Sequence, residues 1–383
     1  MKVALVHDYL TQRGGAERVF ELLCKFFRSA DIYTSLYDAS KTIDLSNRSI
    51  NTTFLQKLPG AKKNFRLFAP LYYSAFRLLD LSEYDLIISS TSSFAKAVKT
   101  RPGAMHICFC HNVTRFLWNT HTYLDEYNNF KKYSFLIKPV LHLMRQRDFL
   151  YAQRPDLYIA NSSTVARRIE KTYHRKSLII NYPIDTDKFV FSAKKEDFYL
   201  ISCRMISYKR LDIAIEAFNW LGLPLVITGD GPERKQLEAK ALSNIKFLGY
   251  VDDEWRTHLM AKAKAVVITA LEDYGLVPIE ANASGTPIIG YGAGGILDTQ
   301  IPGKTAILFK HQSPEALQEA LLTAEQQQWN YYQIRSHAVN NFSEAVFFAQ
   351  VRKTIEEFCG KSLANDSDLN LDLVTGNAFV EAN

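Results

Sequence analysis

Two runs of short apolar segments, each alternating with amphipathic segments, constrain the fold of this chain more than any other feature. In the first half, strand-like segments occur at residues 2–10, 85–90, 105–111 and 156–162. The pattern restarts after Pro183, with segments at 197–204, 223–231, 244–251, 263–270, 286–292 and 305–309. Short buried strands separated by segments with helical periodicity are typical of parallel sheets. The sequence therefore predicts an α/β protein with two doubly wound parallel sheets.

The length of 383 residues favours two domains of ordinary size. We assign residues 1–188 to an N-terminal domain and residues 189–342 to a C-terminal domain. Helical spacing over residues 343–360 predicts a helix that packs back on the first domain. Residues 361–383 are polar, acidic and poor in large apolar side chains, which predicts a disordered tail.

Cysteine usage and apolar run lengths bear on cellular location. The five cysteines are odd in number and lie mostly in apolar segments, which favours reduced, packed thiols. No apolar run approaches the roughly 18 residues needed to cross a bilayer, and His7 and Asp8 come too early for a secretory signal. We therefore predict a cytoplasmic protein, and a peripheral place on the inner face of the plasma membrane is kept open.

Two sequence features resemble metal sites, and we interpret neither as one. Cys108 and Cys110 have no second cysteine pair with which to complete a tetrahedral zinc site. Asp185 and Asp187 imitate a metal-binding Asp-x-Asp motif, but they follow Pro183 in a linker, where they are read as a turn. The sequence therefore predicts no metal.

The charge is distributed unevenly along the chain. Residues 1–185 carry 27 Lys and Arg against 15 Asp and Glu, whereas residues 186–383 carry 19 against 25. Residues 54–79 are basic and aromatic, with Lys57, Lys62, Lys63, Arg66 and Arg77. This segment is either a surface for anionic lipid or a helical hairpin packed on its domain, and the two readings carry equal weight. The acidic second half disfavours nucleic-acid binding.

Two places are candidate phosphate sites. Gly14 and Gly15 stand between a strand and a helix, where bare amides can receive phosphate or simply make a tight connection. The pair is not part of a G-x-G-x-x-G motif, which disfavours a dinucleotide-binding site here. Arg204 and Lys209 follow the first strand of the second domain and precede a helix, whose positive end repels cations. An anionic ligand between them would resolve that conflict, which favours a diphosphate site over a solvated basic turn.

Two carboxylates and a histidine are candidates for sugar contacts. Glu272 and Glu280 bracket a turn whose amides, at 275–277, can reach a ligand, and carboxylates form paired hydrogen bonds with vicinal hydroxyls. Taken singly, Glu272 is better interpreted as an ordinary loop acid and Glu280 as an ordinary first-turn acid of a helix. His111 ends a strand that points at the ligand edge of its sheet, a position where histidine is more often structural.

Together these features resemble the retaining glycosyltransferases of family 4. Glu272 and Glu280 with seven residues between them, Arg204 with Lys209, and the Gly-Asp-Gly of residues 229–231 are similar to that family's signature. The similarity extends over most of residues 1–350 and includes "GGAERVF", "YDLIISSTSSFAKAV", "NSSTVARRI" and "YPIDTDKF". It implies the GT-B architecture, in which two Rossmann-like domains face each other, and a role in bacterial polysaccharide assembly.

The resemblance also implies roles for individual residues. Arg204 and Lys209 would neutralise the diphosphate, backed by the amides of Gly14 and Gly15. Glu272, with the amides of Gly275, Leu276 and Val277, would hold the transferred sugar, Glu280 the ribose, and His111 the primary hydroxyl of the sugar. The turn after Gly229 and the backbone around Val251 would line the nucleotide pocket. Asn112 and Val113 replace the Thr-Pro of many relatives, a difference on the acceptor side.

The activity implied is transfer of a hexose, with UDP-glucose as the favoured donor and GDP-mannose as the alternative, to a lipid-linked or oligosaccharide acceptor. No cofactor and no metal is expected, because the two cations would do the work of a divalent ion. A sugar-nucleotide epimerase or a nucleotide-sugar-binding protein without turnover stays open as an alternative of another class.

Overall fold

The structure is a computed structural model that describes residues 1–119 and 134–360 together with Leu373. The chain forms two compact units. The first comprises Met1–Asn181 and the chain from Phe348, and the second comprises Tyr182–Phe347. Apart from Leu373, the tail expected to be disordered lies outside the described residues.

The first unit contains a seven-stranded parallel sheet with the order β3-β2-β1-β4-β5-β6-β7. Its strands are β1 (Val3–His7), β2 (Asp31–Thr34), β3 (Ile50–Thr52), β4 (Leu86–Thr91), β5 (Met105–Cys110), β6 (Leu157–Ala160) and β7 (Leu178–Ile179). Its helices are α1 (Gly15–Phe26), α2 (Ala69–Arg77), α3 (Arg115–Trp118), α4 (Ser134–Ala152) and α5 (Ser163–Tyr173). The first six strands therefore have the 3-2-1-4-5-6 order of a doubly wound fold.

The second unit repeats that order in six parallel strands, β10-β9-β8-β11-β12-β13. They are β8 (Tyr199–Ser202), β9 (Leu225–Thr228), β10 (Ile245–Gly249), β11 (Val266–Ile268), β12 (Ile288–Tyr291) and β13 (Ala306–Phe309). The helices are α6 (Leu211–Leu221), α7 (Arg234–Glu238), α8 (Asp253–Lys262), α9 (Val277–Ala283), α10 (Ile296–Thr299), α11 (Pro314–Gln326) and α12 (Tyr331–Phe342). A last helix, α13 (Glu344–Cys359), enters the first unit from Phe348, whose ring stacks on Phe26 at 5.4 Å.

The predicted α/β class and the two parallel sheets are confirmed. Each sheet is covered by helices whose apolar faces form its core, with Phe20 on α1 and Phe218 on α6 fully buried. In parallel sheets of this topology, ligands bind at the carboxyl ends of the central strands. That edge is formed by the ends of β1, β4 and β5 in the first unit, and by those of β8 and β11 in the second.

Several elements were not predicted from the sequence. They include the short strands β2, β3 and β7 and the helices α10 and α12. Helix α7 spans only Arg234–Glu238, although the helical spacing continues to residue 242. Residues 54–79 form two single 3₁₀ turns followed by α2, rather than two helices of a hairpin.

None of the helices within the described part of the chain is both long and apolar enough to cross a bilayer.

Candidate functional site

The segment that follows β8 carries two cations. Cys203 is half-buried, Arg204 is exposed, and a 3₁₀ turn over Ser207–Lys209 precedes helix α6. The guanidinium of Arg204 makes no hydrogen bond or ion pair with residues 1–119 or 134–360. Its charge is therefore available at the carboxyl edge of the second sheet.

Lys209 forms an ion pair with Glu272 across that edge. The Lys209 ammonium also lies 5.2 Å from the centre of the Tyr208 ring. Burial alone would lower the pKa of Lys209, but the negative charge of Glu272 outweighs it, so the pKa of Lys209 is raised above its ordinary value. The lysine is therefore charged at neutral pH although most of it is shielded from water.

The backbone around Glu272 is fixed by a pair of glycines. The Gly295 amide donates to the Glu272 carbonyl oxygen at 2.9 Å. Gly294 has φ of 81°, and a Cβ there would lie 2.2 Å from the same oxygen. Only glycine fits this approach, so the turn at residues 292–295 holds Glu272 in place.

Lys209 and Glu272 line a cavity of about 120 Å³, which also includes Gly275, Leu276 and Val277. Gly275 adopts φ of 84° and turns the chain into α9, which has a proline in its first turn. The structure describes no hydrogen bond donated by the amides of Gly275, Leu276 or Val277, as expected of the first groups of a helix. The cavity thus combines a cation, a carboxylate and amide donors.

Glu280 lies in the first turn of α9, and its carboxylate is buried. Arg256 of α8 donates to it at 2.6 Å. Burial would lower the pKa of Arg256, but the charge of Glu280 raises it overall. The two glutamates of the sequence motif thus have different partners, a lysine for Glu272 and an arginine for Glu280.

The remaining predicted residues of the second unit shape its loops. Gly229, with φ of 110°, brings the turn after β9 so close to Cys203 that a Cβ would lie 2.0 Å from the Cys203 carbonyl oxygen. Val251 is half-buried in the loop between β10 and α8, beside the exposed Tyr250. Among the described residues, Arg204, Gly229, Val251 and Glu280 lie outside the cavity lining.

In the first unit, Gly14 and Gly15 begin α1. Gly14 is the extended residue before the helix, and its carbonyl accepts the Arg18 amide at 3.0 Å. A Cβ on Gly14 would lie 2.9 Å from a carboxylate oxygen of Glu17, whereas a Cβ on Gly15 would meet open space. A side chain on Gly14 would therefore shift the Glu17 carboxylate, and Gly15 leaves the backbone bare.

His111 directly follows β5 and is almost completely buried. Its Nε2 lies 2.7 Å from Ser90 Oγ, and the same oxygen lies 3.0 Å from His7 Nδ1. Burial, together with the nearby His7, lowers the pKa of His111 to about 3, so its imidazole is neutral at physiological pH. The structure therefore ties this predicted residue into a polar network at the carboxyl edge of the first sheet.

Sequence reasoning missed the partners of these residues. Arg256 is one of several cations on an ordinary-looking helix, and no motif marks it. Glu17 was visible as the acid of "GGAERVF", and His7 and Ser90 stand at strand ends, which is the signal that could have selected them. No group of three or more potential metal-ligating side chains occurs among the residues that the structure describes.

Comparison with known proteins places both units in families. Residues 13–188 match the model described as Glycosyltransferase Family 4, and residues 184–342 match that described as Glycosyl transferases group 1. The chain is 29% identical over 209 residues to a D-rhamnosyltransferase, WbpZ, of Pseudomonas aeruginosa, covering 50% of this chain and 52% of the relative. An uncharacterized glycosyltransferase of Methanocaldococcus jannaschii is 24% identical over 335 residues, which cover 84% of this chain and 88% of that protein.

The fold is shared with solved structures at low identity. The Anabaena protein Alr3699/HepE, crystallised with UDP, superposes with a TM-score of 0.69 at 19% identity, covering 93% of this chain and 100% of that one. The same protein has also been crystallised with UDP-glucose. At this identity the likeness concerns the fold alone.

Proposed function

Because this chain belongs to the family 4 glycosyltransferases of GT-B fold, we propose that it is a retaining hexosyltransferase that uses a nucleotide-sugar donor, with UDP-glucose as the favoured one. The observation that carries the proposal is the cavity at the carboxyl edge of the second sheet, where Lys209 and Glu272 form an ion pair beside the bare amides at the start of α9. The Anabaena protein of the same fold was crystallised with UDP-glucose, which supports this donor class.

Departure of the nucleoside diphosphate is the step that the cations would assist. Negative charge builds on the bridging phosphate oxygen as the bond to the anomeric carbon breaks. Arg204 and Lys209, fixed near that oxygen, would stabilise the transition state more than the ground state. In this scheme Lys209 exchanges part of its contact with Glu272 for the diphosphate. The acceptor hydroxyl arrives on the face that the diphosphate leaves, bonds to the anomeric carbon and gives its proton to the departing phosphate oxygen.

The carboxylates would orient the donor. Glu272, pinned by Gly294 and Gly295, can accept hydrogen bonds from hydroxyls of the transferred hexose. Glu280, whose carboxylate accepts from Arg256 at 2.6 Å, would accept from the ribose hydroxyls. In the first unit, His111 would contact the hexose, and Gly14 and Gly15 would offer amides to the diphosphate. Polysaccharide assembly remains the proposed context, with a lipid-linked or oligosaccharide acceptor.

The reaction is expected to need no divalent metal, since two cationic side chains replace it. We expect nucleoside diphosphate release from UDP-glucose, in the presence of a polyprenyl-diphosphate-linked monosaccharide, to be unchanged by EDTA. Complete loss of turnover on chelation would contradict the metal-free mechanism.

Calorimetry with UDP-, GDP- and ADP-hexoses identifies the donor. Glu280→Gln should weaken the binding of that donor about tenfold.

The same assay separates the alternative functions. GDP-mannose as the tighter ligand would change the donor and leave the mechanism intact. Conversion of the donor into an epimer without an acceptor would identify an epimerase. Donor binding with neither product would identify a binding protein. NMR of the new glycosidic bond tests retention, because a retaining enzyme gives a product with the same anomeric configuration as the donor.

We further propose that residues 54–79 and the exposed side of α4 rest on anionic lipid, where a lipid-linked acceptor would wait. Leu67, Leu71 and Leu78 are exposed, and on α4 Val140, Leu143 and Leu150 are exposed as well. Residues 54–79 contain five cations and no acid, and the only acid of α4, Asp148, is buried. Arg77 Nη1 donates to Tyr151 at 3.3 Å, which joins the two segments into one surface. Apolar side chains among cations are typical of peripheral membrane surfaces.

We expect the protein to float with phosphatidylserine-containing liposomes at low salt and to lose this binding as salt rises. Lys62→Glu with Lys63→Glu should abolish flotation. The matched control is Arg167→Glu with Lys171→Glu, two exposed cations on α5 of the same unit. Absence of flotation by the unmodified protein at low salt would reject the membrane surface. If both double variants lose flotation equally, the binding depends on the net charge of the protein and not on this surface.

A further inference from the structure

Two hydrogen bonds run along the carboxyl edge of the second sheet and end on the backbone of Lys209. Thr269 directly follows β11, and its hydroxyl donates to the Lys209 carbonyl oxygen at 2.7 Å. Gln312 lies three residues after β13, and its side-chain amide donates to the Thr269 carbonyl oxygen at 2.8 Å. Because the sheet order is β8-β11-β12-β13, these bonds connect the loop after β13 with the segment after β8.

The carbonyl that Thr269 binds belongs to a strained turn. Lys209 ends the 3₁₀ turn over Ser207–Lys209, and the next residue, Arg210, has φ of 53°. This left-handed conformation is unfavourable for a residue other than glycine, so it persists only where the surroundings hold it. The Lys209 carbonyl and the Arg210 amide share one peptide unit. The hydrogen bond from Thr269 therefore fixes the peptide unit on which the turn depends.

The direction of this hydrogen bond is unambiguous. A carbonyl oxygen can only accept, so the hydroxyl hydrogen of Thr269 is the one that is donated. Thr269 is almost completely buried and lines the same cavity as Lys209 and Glu272. Removal of the hydroxyl would leave the Lys209 carbonyl without this donor, and a lost partner in a water-poor place destabilises the conformation that the bond held.

The segment after β11 thus holds Lys209 at both ends. Thr269 binds the carbonyl oxygen of Lys209, and Glu272, three residues later, pairs with its ammonium. A bound anion competes with Glu272 for the ammonium, because both are negative. It does not compete for the hydrogen bond between the Thr269 hydroxyl and the carbonyl. Entry of an anion therefore releases the side chain of Lys209 and leaves its backbone held.

We propose that Thr269, supported by Gln312, is a positioning residue that holds the backbone of Lys209 in place while the ammonium exchanges Glu272 for the diphosphate of the donor. The part that concerns the diphosphate rests on the proposed function, whereas the hold on the turn does not. A cation stabilises a developing charge most when its position is set before the reaction, and the transition state demands this more than donor binding does. Loss of the Thr269 hydroxyl should therefore lower the rate of transfer rather than the affinity for the donor.

The hold on the turn can be measured without donor. Amide hydrogen exchange, followed by mass spectrometry of peptides that cover residues 205–212, reports the turn, in which the amides of Lys209 and Arg210 are hydrogen-bonded. Thr269→Val keeps the branched side chain and removes the hydroxyl, so exchange in these peptides should become about tenfold faster. Thr269→Ser returns the hydroxyl and should bring exchange back to within about twofold of the unmodified protein.

Two further variants make this result specific. Gln312→Ala removes the donor to Thr269 from a half-buried loop position and leaves the core unaltered, and exchange should become about threefold faster. Thr257 is buried on α8 and donates to the Glu254 carbonyl oxygen at 2.8 Å, a bond of the same kind. Thr257→Val should leave the exchange of residues 205–212 unchanged. If Thr269→Val and Gln312→Ala leave this exchange as it is, or if Thr257→Val raises it equally, the proposal is overturned.

The second measurement is transfer itself. Thr269→Val should lower kcat about tenfold, while the donor Kd from calorimetry stays within about twofold. Thr269→Ser should restore kcat, which assigns the effect to the hydroxyl and not to packing. If the unmodified protein transfers no sugar, the proposed function fails, and the exchange result still decides whether Thr269 holds the turn. If exchange becomes faster in Thr269→Val while kcat is unchanged, or if the donor Kd alone rises, the positioning role is wrong.

Discussion

Lys209→Ala is expected to lower kcat by about 10²- to 10³-fold, because it removes a fixed cation from the oxygen on which charge develops. The loss corresponds to about 2.7–4 kcal/mol of transition-state stabilisation. Arg204→Ala should cause a loss of the same order. The two differ in their side effects, since Lys209 is half-buried and paired with Glu272 whereas Arg204 is exposed. Discontinuous assays of nucleoside diphosphate release at saturating donor measure the change in kcat.

The adjacent residue provides the control. Arg210 stands next to Lys209, but its guanidinium forms an ion pair with Asp212 at 3.0 Å on the surface. Its backbone has φ of 53°, a conformation that asparagine tolerates. Arg210→Asn therefore removes a charge from the same turn without added strain, and it should leave kcat within about threefold. Near-normal turnover in Lys209→Ala, or an equal loss in Arg210→Asn, would show that the proposed cation does not act on the leaving group.

Much of the fold could be predicted because buried strands leave a strong local signal. β4, β5 and β8 are apolar runs of four to six residues bounded by polar turns, and they were found near their true limits. β3, by contrast, has three residues, none of them buried, so nothing in its sequence separates it from a loop. β7 is two exposed residues. Such edge strands form because a neighbouring strand offers them hydrogen bonds. That pairing depends on the tertiary structure and leaves no signal in the local sequence.

The site shows the same division. Glu272, Lys209 and Gly275 were predicted, because strand ends and glycine turns mark the ligand edge of a parallel sheet. The partner of each residue was not. Arg256 is 24 positions before Glu280, and Ser90 is 21 before His111. Pairings at such separations are set by the packing of α8 on α9 and by the register of β4 against β5. Periodicity within one segment does not contain them.

A buried carboxylate of the first unit, that of Asp148, lies outside the proposed site. Asp148 of α4 has no exposed surface, and its carboxylate is bound by Tyr73 at 2.7 Å, Thr114 at 2.8 Å, Lys96 at 2.7 Å, Trp118 at 2.6 Å and Tyr173 at 2.8 Å. These donors come from α2, from α3 and the residue just before it, from α5 and from the chain after β4. Burial is the main cause that raises the pKa of Tyr173, with the charge of Asp148 adding to it, so the phenol is a donor at any physiological pH. One carboxylate thus ties four segments together.

Asp148→Ala is expected to destabilise the first unit by about 3–5 kcal/mol, because it leaves the buried Lys96 ammonium without a counter-charge and several donors without an acceptor. Urea denaturation followed by circular dichroism measures the loss. Amide hydrogen exchange should locate it in α2, α4 and α5 rather than in the second unit, whose strands share no contact with this network among the described residues.

Control variants distinguish the loss of the buried charge pair from the general effect of removing an acidic side chain on the free energy of unfolding. Glu170→Ala on α5 removes an exposed acid from the same unit and should change the unfolding free energy by less than about 0.5 kcal/mol. Lys96→Met combined with Asp148→Ala removes both charges, so it should be more stable than Asp148→Ala alone, although Tyr73, Trp118 and Tyr173 still lack their acceptor. If the double variant is no more stable than Asp148→Ala, the destabilisation arises from unmet hydrogen bonds and not from the stranded ammonium. If Asp148→Ala is as stable as the unmodified protein, this carboxylate does not hold the unit together.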